Sequence, residues 1–460
     1  MKTVRNPLGP FMAAMAIALA LAACAPATPA PSSAGTPPAQ ATAKPAAATT
    51  PAAQPTTASA AQPTQAAAQT GSQSASKVAK IGVMVPLTGA FAADAQDVVN
   101  AAQLAIDDYN NAGGVAGYRF EMVSADTVDQ RADAVTSAFN RLKSTQDLNF
   151  IMTAYASTSN FEIDLMAQEN MPYVISANAA QTREIISKDP SKYPTVWSRV
   201  PSYDAYETEL PKLLEKWASQ GKLKLSNHKA YIVSSDDPYG STIANGLQKN
   251  FKDINWSIAG FETVPFASVT DWRGILAKIR SDPPDIVIVT DSAPPNNAAF
   301  LNQFMENPTN SLVFLQYGPS VPEFIDLTKK NSTGVVYNLL GGAIDTLPET
   351  KDIRAKFKSK YGNEGGYFAV AAYNEVQLYA ECVKQLSDAT NRLAIGKCIG
   401  NLDLMTPSGH LKFDQQTHLA MQGEDFYPIL FYQIWEGQRI IVDPQKYVGG
   451  DFRMPPWMKP

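Results

Sequence analysis

Apolar and polar positions follow a repeating two-part rhythm from Lys80 onward. The stretch KIGVMVPLTGAF begins with a β-branched apolar run and ends in Pro, Thr and Gly, which predicts a buried strand entering a loop. The stretch DAQDVVNAAQLAIDDYNNAGG then sets Val98, Ala102, Ala105 and Tyr109 at helical spacing and stops at Gly113-Gly114. RFEMVSAD, LNFIMTA and MPYVISAN predict further strands, with RADAVTSAFNRLKST and NFEIDLMAQEN as the helices between them. After residue 200 the alternation resumes. Helices are predicted at AYETELPKLLEKWASQG, GSTIANGLQKNF, DWRGILAKIRSD and NNAAFLNQFMEN, and strands at HKAYIVSSD, WSIAGFETVPF, PDIVIVTDS and SLVFLQYG. Strands alternating with helices imply parallel sheets covered on both faces, and two successive runs imply two α/β lobes. The tail breaks the rhythm. GGYFAVAAYNEVQLYAECVKQL reads as one long helix, HLKFDQQTH as a strand, and YPILFYQIWEGQRIIVD as a hairpin turning at Glu436-Gly437.

The front of the chain has a different character. Lys2 and Arg5 precede an apolar run from Phe11 to Ala23, short for a bilayer span of about 20 residues. Residues 1–23 therefore read as a secretory signal peptide. Leu21-Ala22-Ala23-Cys24 resembles the bacterial lipobox, which makes Cys24 the expected lipidated residue and the membrane anchor. From Ala25 to Ser76 the chain is nearly all Ala, Pro, Thr, Gln and Ser. Such a stretch cannot bury enough apolar surface to offset the entropy of folding, so residues 24–77 are expected to be the anchor and a disordered tether.

Charge and chemistry narrow the function classes. The formal net charge is −5, with Lys+Arg 38 against Asp+Glu 43. A mild acidic balance without basic clusters argues against a nucleic-acid partner. The histidines His228, His410 and His418 have no partner at metal-ligand spacing. There is no G-x-S-x-G elbow, no phosphate-binding G-x-x-x-x-G-K-[ST], and no G-x-G-x-x-G after the first strand. Neither an enzyme nor a cofactor is expected. Cys382 and Cys398 fall in consecutive helical stretches and form a possible disulfide outside the cytoplasm.

Four blocks carry a resemblance: IGVMVPLTGAFA, AAQLAIDDYNNAGGVAGYRFEMVSADT, YASTSN and SSDDPYGSTIANG, in that order. They resemble the type I periplasmic solute-binding proteins, in particular the leucine/isoleucine/valine-binding branch, as does TPSGHLKFDQQTH near the end. The resemblance implies an α/β fold of two doubly wound parallel-sheet lobes joined by three crossovers, near 199–203, 338–342 and 406–411. One lobe would be 78–199 plus 341–407, and the other 200–340 plus 408–460. It implies a monomeric receptor that closes on a small solute and delivers it to the permease of an ATP-driven importer. A sensory ligand-binding subunit and, at greater distance, a surface hydrolase are the other classes to separate.

The resemblance also carries site residues. Ser157 matches the serine that holds a ligand's α-carboxylate, with Thr158 beside it. ISANAA matches a loop that offers a backbone carbonyl at Asn178 and, past Ala179, a hydroxyl for which this chain has Ala180. Tyr239 matches a wall tyrosine. The family's first-loop aromatic falls at Asp94, and its ammonium-pairing acid falls near Tyr317, where no carboxylate stands. Asp291 could substitute for it, and Phe91, Tyr317 and Phe368 are candidate apolar walls. The expected solute is an amino acid, an aromatic or aliphatic carboxylate, or an amide.

Overall fold

A computed structural model describes residues 77–459 except 146 and 156. The signal peptide, Cys24 and the tether lie outside the described residues.

The first run of the chain builds β1 (Lys77–Val85), α1 (Ala92–Asn111), β2 (Tyr118–Asp126), α2 (Ala132–Lys143), β3 (Leu148–Thr153), α3 (Glu162–Gln168), β4 (Tyr173–Ile175), α4 (Ala179–Ile186) and β5 (Val196–Ser198). Its strands form one sheet in the order β2-β1-β3-β4-β5, parallel throughout. The second run builds α5 (Asp204–Ser219), β6 (Lys229–Ser235), α6 (Pro238–Asp253), β7 (Ser257–Val264), α7 (Arg273–Ser281), β8 (Ile286–Val289), α8 (Pro294–Met305), β9 (Leu312–Leu315), α9 (Pro322–Thr328) and β10 (Val336–Leu340). The tail adds α10 (Pro348–Tyr361), α11 (Tyr367–Leu386), α12 (Arg392–Gly400), β11 (Asp403–Thr406), β12 (Gly409–Lys412), β13 (Ile429–Trp435) and β14 (Gln438–Asp443).

The second sheet runs β14-β13-β10-β9-β8-β6-β7. Strands β6 to β10 are parallel, while β13 and β14 join as antiparallel additions. Every residue of β3, β8, β9 and β10 is buried. That burial accounts for their unbroken apolar runs, because helices cover both faces of a parallel sheet. The long helix α11 returns from the second sheet to pack along α1. It is buried over most of its circumference, from Tyr367 to Val383, and a disulfide joins its Cys382 to Cys398 of α12.

The expectations from sequence place most elements. The strand read at MPYVISAN shrinks to Tyr173–Ile175, because Ala179–Ile186 coils into α4 with Asn178 as its left-handed N-cap. The strand read at HLKFDQQTH is only the second arm of the small β11–β12 hairpin.

The chain passes from one sheet to the other at β5–α5, β10–α10 and β12–β13, and one side chain ties these passages together. Arg199 is 0% exposed. Its Nη2 donates to the Gly341 carbonyl at 3.2 Å and to Ser408 Oγ at 2.8 Å. The guanidinium lies between the rings of Tyr367 and Tyr427, 5.9 and 5.6 Å from their centroids. Those rings in turn bond the crossing segments, Tyr367 OH to the Leu340 carbonyl at 3.1 Å and Tyr427 OH to Thr406 Oγ1 at 2.9 Å.

Candidate functional site

Loops leaving the carboxyl ends of parallel strands meet from both sheets, the usual place for a ligand in an open α/β fold. Together they enclose a cavity of about 640 Å³ that includes space open to solvent. The loop after β1 brings Phe91, the loop after β3 brings Tyr155 and Thr158, and the loop after β4 brings Ser176 to Asn178. From the second sheet come Asp237 and Tyr239 after β6, Phe266 after β7, Ser292 after β8 and Tyr317 after β9. The starts of α5 and α11 complete the wall with Tyr203, Tyr206, Tyr367 and Phe368. Nine of the lining residues are aromatic, and none is Lys, Arg or His.

The aromatic groups pack on each other. Phe91 stacks on Phe266 with centroids 5.7 Å apart, which joins the two lobes. Tyr155 meets Phe368 edge-on at 4.8 Å, and Tyr203 meets Tyr239 at 5.3 Å. A second link between lobes lies beneath the wall. The hydroxyls of Tyr155 and Tyr317 both donate to Asp94 Oδ2 on α1, and their oxygens are 3.0 Å apart. Asp94 is 0% exposed, and its Oδ1 has no hydrogen-bond partner among the described residues. Burial pushes its carboxyl up to about 7, against the pull of the two tyrosine hydroxyls. Tyr317 itself sits at φ 61°, ψ −57°, a backbone region that costs a non-glycine residue about 1–3 kcal/mol.

Other carboxylates around the cleft are held by backbone amides. Glu162 accepts from the Ser157 N–H at 2.9 Å and from the Ser157 hydroxyl. Asp237 caps α6, accepting from the N–H groups of Tyr239 at 2.9 Å and Gly240 at 3.2 Å. Asp291 accepts from the Ala293 N–H at 2.9 Å, Asn296 Nδ2 at 3.0 Å and the Ala267 N–H at 3.2 Å. Burial raises each of the three from its ordinary value, Asp291 to about 6. Deeper in the first lobe, the Ser176 hydroxyl donates to the buried Glu375, whose carboxyl burial lifts to about 8 while Arg199 pulls it down.

The described residues match a periplasmic binding protein family over residues 78–430. This chain is a periplasmic binding protein. That membership makes it one of a family of exported solute-binding proteins, not enzymes. It is similar to the leucine-, isoleucine-, valine-, threonine- and alanine-binding protein of Pseudomonas aeruginosa, at 21% identity over 75% of this chain and 88% of that one. Among solved structures it is similar to a putative branched-chain amino acid ABC transporter from Silicibacter pomeroyi. That match has a TM-score of 0.72 and 28% identity, covering 83% of this chain and all of that one. It shares its fold with a solute-binding protein from R. palustris solved in complex with benzoate, with a TM-score of 0.64 and 15% identity over 81% and 99% of the two chains.

This periplasmic binding protein gathers some of the sequence candidates and sets others apart. Phe91, Thr158, Asn178, Tyr239, Tyr317 and Phe368 line the cavity. Ser157 does not, and both its donors are committed to Glu162. The Asn178 carbonyl accepts from the Thr182 N–H at 3.0 Å and from Asn160 Nδ2 at 3.1 Å, so it is engaged within the fold. Ala179 and Ala180 are buried against the second core, and Asp94 and Asp291 stand outside the lining. Sequence reasoning missed Tyr155, Tyr203, Tyr206, Phe266 and Tyr367. Tyr155 lies within the quoted YASTSN, and Tyr203 and Tyr206 sit a helical turn apart at the opening of α5. Aromatics at strand exits and helix starts were the available signal.

Proposed function

We propose that this chain is the lipid-anchored receptor of an ATP-driven importer, capturing a small solute with an apolar or aromatic body in the cleft between its lobes. One observation carries the reading: a cavity built from strand ends of both sheets and walled by aromatic rings from each. Sites that engulf small solutes are concave and largely apolar, with a few placed polar groups. Here Thr158, Asn178, Ser292 and the tyrosine hydroxyls supply those groups. Residues 78–199 with 341–407 and residues 200–340 with 408–460 are the two bodies that move, pivoting at the passages that Arg199 connects. Closure buries the solute, and the closed form is what the permease would recognise. Cys24 and the tether would keep the receptor near that permease and raise its effective concentration there.

Mass spectrometry of the purified full chain, first native and then denatured, tests the solute reading. A binding protein with a tight site carries its ligand through purification, because binding favours the native state. The expected result is one released small molecule with an apolar or aromatic body. A chain that releases nothing, and whose melting temperature no small solute raises, contradicts the reading.

A further inference from the structure

The charges around the cleft have a consistent sign. The loops leaving β3, β6 and β8 each present backbone amides where an anionic ligand could be held, and a carboxylate of the chain itself takes amides in each loop. Glu162 takes the Ser157 N–H, Asp237 those of Tyr239 and Gly240, and Asp291 that of Ala293. The start of α11 is no freer. Asp94 Oδ1 stands 2.8 Å from where a Cβ on Gly366 would lie, so a carboxyl of the chain sits against that turn as well. No Lys, Arg or His lines the cavity. Arg199 reaches two lining residues, Ser176 Oγ at 3.4 Å and Tyr367 OH at 3.5 Å; its Nη2 is bound to Gly341 and Ser408, its Nε has no partner among the described residues, and it stands outside the lining. A ligand carboxylate would therefore be buried beside Asp237 with no cationic side chain in the cavity wall, a costly arrangement.

A cation meets the opposite conditions. Aromatic faces attract it, more strongly when water is excluded. Asp237 lies in the wall, and Asp94 lies behind Tyr155 and Tyr317 with both hydroxyls turned toward it.

We propose that the cleft selects an organic cation, an ammonium carried on an apolar or aromatic body, and discriminates against solutes with a free carboxylate. This rests on the solute-receptor reading above and adds the charge of the solute to it.

The test is calorimetric titration of the full chain, kept in detergent, with two matched sets of probes. One set is 3-phenylpropylamine, 3-phenylpropanamide and 3-phenylpropanoate. The other is 3-methylbutylamine, 3-methylbutanamide and 3-methylbutanoate. Each amine is expected to bind at least about tenfold tighter than its acid, with the amide between, in line with a desolvated cation–π contact. Asp237→Asn retains a side chain that can cap α6 and is expected to narrow the amine's advantage about tenfold. Asp94→Asn, which keeps an acceptor for the tyrosine hydroxyls, is expected to narrow it as well at pH 8, above the value of about 7 to which burial raises Asp94. An acid that binds as tightly as its amine, or an unchanged preference in both variants, overturns the inference while leaving the receptor reading in place. If no probe of either set binds the folded chain, the inference fails, while the receptor reading stands or falls on the released solute.

Discussion

At the scale of single residues, the cleft is defined by which partner each polar group has already taken. Ser157 looked available in the sequence because a serine between a strand and a helix is exposed to ligand or caps the helix equally well. Its amide and hydroxyl go instead to Glu162, five residues on and buried. A carboxylate on a short helix reads as a solvated surface charge, so nothing in the local pattern marked it. Asp94 was legible only as the place where an aromatic is missing. Its role depends on Tyr155 and Tyr317, which approach from the loops after β3 and β9 and cannot be paired with it by spacing. The Tyr317 hydroxyl crosses from the second lobe to the first, so it should favour the closed form. Tyr317→Phe keeps the ring and removes that bond. A hydrogen bond of this kind is worth about 1–2 kcal/mol, so the solute released from the native chain should bind this variant about tenfold more weakly by titration. An unchanged dissociation constant would show that closure does not use the bond.

At the scale of elements, sequence revealed the long helices with an apolar stripe and missed the short α4 and α9 and the charge-rich α10, although α10 buries Thr350, Ile353 and Phe357. Helix α5 was legible despite Pro211, because Leu210, Leu213, Leu214 and Trp217 form a buried face. Helix α12 entered the sequence reading only as the helical stretch that holds Cys398, and its tight packing was not legible. Its contact face against the β5 region is glycine: a Cβ on Gly396 would fall 2.5 Å from Thr195 Cα, and one on Gly400 would fall 1.9 Å from Trp197 Cζ2. Periodicity of large apolar residues cannot report a face made of hydrogen atoms. In an exposed helix Gly→Ala stabilises by about 1 kcal/mol. Here Gly396→Ala should instead destabilise by about 1–3 kcal/mol, the usual cost of overpacking, because its clash is with backbone. Urea unfolding measures the sign. A stabilised Gly396→Ala would mean that α12 stands farther from Thr195 than described.

At the scale of the whole molecule, the strand–helix alternation carried the two-sheet architecture. The tertiary links between the sheets were hidden. Residue 199 stood at the first expected crossover, yet nothing in the sequence showed that Arg199 is fully buried there. The buried acids around the cleft and beneath it give the molecule a pH signature. Asp94 and Glu375 are raised to about 7 and about 8, so the native state holds protons that the unfolded chain releases near pH 4. Stability therefore falls as pH rises toward and through these values. The buried His418, whose ring is pushed down by burial, acts in the opposite sense but only below its ordinary value near 6.5. The salt-bridged acids with lowered values, such as Asp164 beside Lys192, matter only in acid. Between pH 6.5 and pH 8 the net effect should be a melting temperature that drops by about a few degrees. Calorimetry of the ligand-free chain checks this, and a rise over that interval would count against the buried, raised state of Asp94 and Glu375.

Closure of the two lobes on a solute is a motion that a distance across the cleft reads. Pulsed electron-spin distance measurement between labels at Ser137→Cys on α2 and Lys249→Cys on α6, both exposed, tests it most directly. The stripped protein is expected to give a broad distribution that includes longer distances. Adding the released solute, or the tightest of the matched probes, should narrow it to the shorter one. The same distribution with and without a bound solute would contradict the account.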